Sequence, residues 1–116
     1  MQQNTQTLAQ RALDLLSPIP ADQWTTKTYG FGPERPQKHC ALGHLNLLAG
    51  SKLASISNEN LSEFELSDLT NRFLKSKGLT GDIVSVNDTT DVPGYTEDNP
   101  KDRIIHLLSD MVAVGL

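Results

Sequence analysis

The chain has 116 residues, with 10 Lys+Arg against 14 Asp+Glu and 37% hydrophobic residues. This is the size of a single domain, 1–116, able to close its own core, and it is too short for a dinucleotide-binding fold with a substrate domain or for a (β/α)-barrel. The net charge of −4, with scattered cations, argues against a nucleic-acid partner, which needs a basic stripe.

No apolar run approaches the ~18 residues of a membrane span. The polar start, Met1 to Thr7, does not read as a secretory signal. One cysteine, Cys40, excludes an internal disulfide and a zinc finger, and it suits a reducing cytoplasm. The expectation is a cytoplasmic chain with no membrane and no nucleic acid among its partners.

In chain order, Leu8, Ala12, Leu15 and Leu16 recur at helical spacing and predict a first helix over 5–16, ended by Pro18 and Pro20. From Pro18 to Lys38 the dense Gly and Pro punctuation reads as a long surface connection. Trp24, Tyr29 and Phe31 lie within it, and Trp24 is expected to be buried and to pin the connection onto the helices. A second helix is predicted near 38–54. Ala41, Leu42, Leu45, Leu48, Ala49 and Leu53 make one broad apolar face, and Leu47 lies opposite, so this helix is expected to be buried and central.

The third helix is predicted over 62–77, with Ser62 and Glu65 as a capping box, Leu66, Leu69 and Phe73 as its stripe, and Gly78 just past its end. Asp82-Ile-Val-Ser-Val86 is short and β-branched, and it predicts a strand. A lone strand cannot pair. Its partner is expected in residues 25–31 or in the same segment of a second chain, which would make a homodimer. The last helix, 100–114, opens with Asn99 as N-cap and Pro100 at its first position, and its face is Ile104, Leu107, Leu108 and Met111. The fold class is mainly α, or α+β with a minimal sheet: about four helices packed around the one near 38–54, with one short strand near 82–86.

Four residues could carry chemistry: Cys40, His44, Asn87 and Asp88. Cys40 stands at a predicted helix start, where backbone N–H groups and the helix dipole favour a thiolate, and Lys38 and His39 precede it. A nucleophile needs a base. His44 lies one turn along the same face, whereas His106 falls on the far side of the last helix from its apolar stripe and is expected to point to solvent. The bland reading is a packed thiol in an apolar helix, and burial is expected to prevail and leave Cys40 slow to react. Cys40 and His44 also have i, i+4 metal-pair spacing, but a zinc site needs two more ligands, so no metal and no cofactor are expected. Asn87 and Asp88 either bind their own backbone and cap a neighbouring helix, or lie against the start of the Cys40 helix and make a small polar site.

With these residues noted, the chain resembles a family of short bacterial and phage proteins catalogued as domain of unknown function 6197. Trp24 follows a first helix and precedes a Gly-containing connection. Cys40-Ala-Leu-Gly-His-Leu45 opens the central helix where the family shows Cys-x-x-Gly-Ala-Leu, and Asn87-Asp88 precedes a terminal amphipathic helix. Two positions depart from that pattern: His44 stands in place of a small residue, and Val86 where the family often has Trp. The resemblance assigns no activity, substrate or catalytic residue. It implies a phage or mobile-element setting, in which small proteins often act by binding another protein.

The leading expectation is therefore a non-enzymatic protein–protein interaction module, with the 18–38 connection and the acidic 82–102 region as its exposed surfaces. The alternatives are a cysteine-dependent enzyme with Cys40 as nucleophile, and a small-ligand or metal-binding module at the Cys40/His44 face.

Overall fold

The computed structural model describes residues 7–26, 30–31, 38–39, 41, 44 and 63–116. Helix α1 spans Leu8–Leu16. A 3₁₀ turn, Ala21–Gln23, follows it. Strands β1, Gly30–Phe31, and β2, Lys38–His39, form an antiparallel pair in which Gly30 faces His39 and Phe31 faces Lys38. Helices α2, Glu63–Ser76, α3, Ile83–Asp88, and α4, Pro100–Ala113, complete the described chain. The protein is mainly helical, and none of the described helices is long and apolar enough to cross a membrane.

Helix α1 starts at Leu8 rather than near residue 5, because Thr7 is extended and its hydroxyl accepts the Gln10 N–H at 3.2 Å. Ala9, Ala12 and Leu16 are fully buried, and α1 lies against α4. Small residues at two of those positions let the helices approach closely. Helix α4 fulfils its sequence pattern. The Asn99 side chain caps the Asp102 N–H at 2.9 Å, Pro100 takes the first position, and Ile104, Leu107, Leu108 and Met111 are fully buried. Among the described residues α4 contacts α1 and α3, and α3 contacts α4 and α2.

Helix α2 ends as its sequence indicates. Gly78 has φ +80°, the Leu79 N–H bonds to Leu74 O at 2.9 Å and the Gly78 N–H to Lys75 O at 2.9 Å, the paired bonds of a Schellman cap that only a left-handed residue can close. Its buried face is Leu66, Thr70, Phe73 and Leu74, with Leu69 partly buried.

Two expectations are corrected. The segment 82–86 is not a strand; it begins helix α3. Asp82 is the N-cap and its Oδ1 accepts the N–H of Val84 at 2.9 Å and of Ser85 at 3.3 Å, while Ser85 Oγ accepts the Asp82 N–H at 3.3 Å. This capping box, with Ile83, Val86 and Asn87 buried at i, i+3 and i+4, outweighs the β-branched composition. Neither residues 25–31 nor a second chain is then needed as its partner, and Gly30–Phe31 pairs with Lys38–His39 instead. That pairing is the second correction: a helix cannot begin at residue 38, and helical backbone is found at Ala41 and His44, both buried. The rest of the predicted 38–54 helix, including Cys40, Leu45 and Leu48, and the Ser62 cap lie outside the described residues.

Trp24 is buried, as expected. It is 5% exposed, its indole N–H reaches Ile19 O at 3.4 Å, and its ring lies 5.1 Å from that of His44. The region 82–102 is not wholly surface, since Val92 and Tyr95 belong to the core. If α4 holds the fold together, Leu107→Ala should cost about 2–5 kcal/mol in urea unfolding. Val114→Ala, at a position 63% exposed, should cost less than about 0.5 kcal/mol.

Candidate functional site

The candidate site is built around α3, a helix of six residues that is too short to persist alone. Side chains from its neighbours satisfy both ends. At the start, the buried Thr70 hydroxyl of α2 accepts the Ile83 N–H at 2.9 Å, and Ser67 Oγ donates to Asp82 Oδ2 at 3.0 Å. Asn71 Nδ2 donates to Gly81 O at 2.8 Å. Gly81 itself has φ +113°, and a Cβ there would meet Ser85 Oγ at 2.9 Å, so the turn into the capping box admits glycine alone.

At the far end stands Arg103 of α4, 3% exposed. Its Nε donates to Val86 O at 2.8 Å, its Nη2 to Asn87 O at 2.7 Å and its Nη1 to Glu97 O at 2.7 Å. Val86 and Asn87 carry carbonyls in the last turn of α3, which have no acceptor role inside the helix and carry its negative dipole end, so a cation is well placed there. Burial pulls the Arg103 pKa below its ordinary value, opposed by the nearby charges of Glu97, Asp88 and Asp98.

The Asn87 side chain, 1% exposed, turns from this helix end towards two distant segments. Its Oδ1 accepts the Ala41 N–H at 3.0 Å, and its Nδ2 donates to Thr25 O at 3.0 Å and to Asp88 Oδ1 at 2.9 Å. His44, 5% exposed, sets its Nε2 2.9 Å from Gln23 O; a carbonyl can only accept, so this nitrogen carries the hydrogen.

The structure thus brings three of the four sequence candidates, His44, Asn87 and Asp88, to one locality with Trp24. Cys40 lies outside the described residues. Asn87 bonds the Ala41 N–H, in the segment that carries Cys40 and His44, and its bonds all go to groups of the chain itself, so this placement fits the capping expectation as well as the polar-site one. Among the described residues no group of three His, Cys, Asp or Glu is placed to hold a metal ion.

Sequence reasoning missed Arg103 and Thr70. The signal for Arg103 is its register: it sits four and eight residues before Leu107 and Met111, inside the apolar stripe, where a cation has to find buried carbonyls. His106 was expected to point to solvent, and it is corrected in part: half-exposed, its Nδ1 lies 2.7 Å from Glu97 Oε2 and its Nε2 3.5 Å from Asp110 Oδ2. Its ring meets Tyr95 edge-on at 4.7 Å, and the Tyr95 hydroxyl donates to Asp110 Oδ2 at 2.7 Å and accepts from Lys77 Nζ at 3.4 Å. Burial first, then the bond to Asp110 and the charges of Asp110 and Glu97, push the Tyr95 pKa well above its ordinary value.

No family model matches the chain, and neither a curated protein nor a solved structure matches it.

Two outcomes follow from this geometry. Arg103→Ala should lower stability by about 3 kcal/mol, because it orphans buried carbonyls, and Arg103→Lys should recover only part of the loss, since an ammonium cannot reach all three. Urea titrations of the three proteins check it. Tyr95 holds its proton more tightly folded than unfolded, so stability is full below the ordinary tyrosine value of about 10 and falls as pH rises above it. Tyr95→Phe should cost about 1 kcal/mol at neutral pH yet flatten that alkaline fall, as thermal melts across the range would record.

Proposed function

We propose that the chain is a cytoplasmic protein–protein interaction module, in the phage or mobile-element setting that the sequence resemblance implies. The observation that supports this reading is the outward face of α3. Ile83 and Val86 are fully buried, whereas Val84 is 41% exposed and lies in an open groove of about 830 Å³. The groove runs between the Gly78–Asp82 turn, α3 and the turn at 88–93. A half-exposed apolar side chain in a concave surface offers a contact point for a partner. The polar groups on the inner side of the same helix bond to carbonyls and N–H groups of the chain itself, which fits a scaffold behind a binding face.

A photo-crosslinking residue placed at position 84 tests the proposal in cells that carry the gene. Val84→p-benzoylphenylalanine should give one discrete adduct, identifiable by mass spectrometry and able to rebind the purified wild-type chain, while the same residue at Ser109, exposed on α4, gives none. No adduct at 84, or equal adducts at both, counts against it.

One observation favours a second reading, a cysteine-dependent enzyme with Cys40 as nucleophile and His44, Asn87 or Asp88 as its partners. The bond from the Ala41 N–H to Asn87 Oδ1 brings that asparagine beside the residue that follows Cys40. Iodoacetamide labelling of the folded protein at pH 6 separates the two. Slow labelling agrees with the interaction module, and rapid labelling at unchanged stability puts the enzyme ahead.

A further inference from the structure

We draw no further inference here: the strongest candidate, the open groove of about 640 Å³ between α2 and α4 lined by Leu69, Phe73, Val114 and Leu116, carries nothing because nothing among the described residues shows what covers it.

Discussion

The described structure depends on one guanidinium. Arg103 reaches from the buried stripe of α4 to three carbonyl oxygens, two from the end of α3 and one from the connection that leads back to α4. A six-residue helix gains too little from its own hydrogen bonds to offset the entropy of ordering it. It holds here because Asp82 and Thr70 satisfy its first N–H groups and Arg103 its last carbonyls. A planar fork of donors suits that task, and its burial is tolerable because each donor atom meets an oxygen. Once α3 is in place, Ile83 and Val86 fill the core and Asn87 is aimed at the segments around Thr25 and Ala41.

Elements with both periodicity and punctuation were legible in the sequence. Helix α4 announced itself through Asn99, Pro100 and a stripe at 3.6-residue spacing, and the end of α2 through Gly78. Helix α3 was not legible by composition, because Ile83, Val84 and Val86 are β-branched and favour a strand wherever packing does not decide. The deciding signal was polar and small: Asp82 followed three residues later by Ser85, with Gly81 before them. Lys38 and His39 were drawn into the following helix because an apolar stripe marks a helix's body more sharply than its first residue. Within the candidate site, Asn87 stood out by its place before a turn-rich stretch. Arg103 did not, since a single charged residue among apolar ones resembles a solvated edge of the stripe until the carbonyls it meets are known.

Trp24, His44 and Asn87 lie far apart in the chain and together in space. Trp24 touches His44, Gln23 O meets the same imidazole, and Asn87 bonds to the residue after Trp24 and to the residue after Cys40. Such convergence is what a packing requirement produces, and it is also what a site requires. The two faces of α3 divide these roles. Its inner face closes the hydrogen bonds of the fold, and its outer face is left with a valine and carboxylates.

The Asn87 bonds have a bearing on the cost of folding. They span 46 residues to Ala41 and 62 to Thr25, so each closes a long loop before it returns anything. Helix α3 therefore combines a local capping box at its start with partners distant in sequence at its end, Arg103 of α4 and the segments at Thr25 and Ala41. On that side α3 is held by contacts of long sequence separation, to Thr25 and Ala41, whose loop-closure cost is larger than that of a local hydrogen bond.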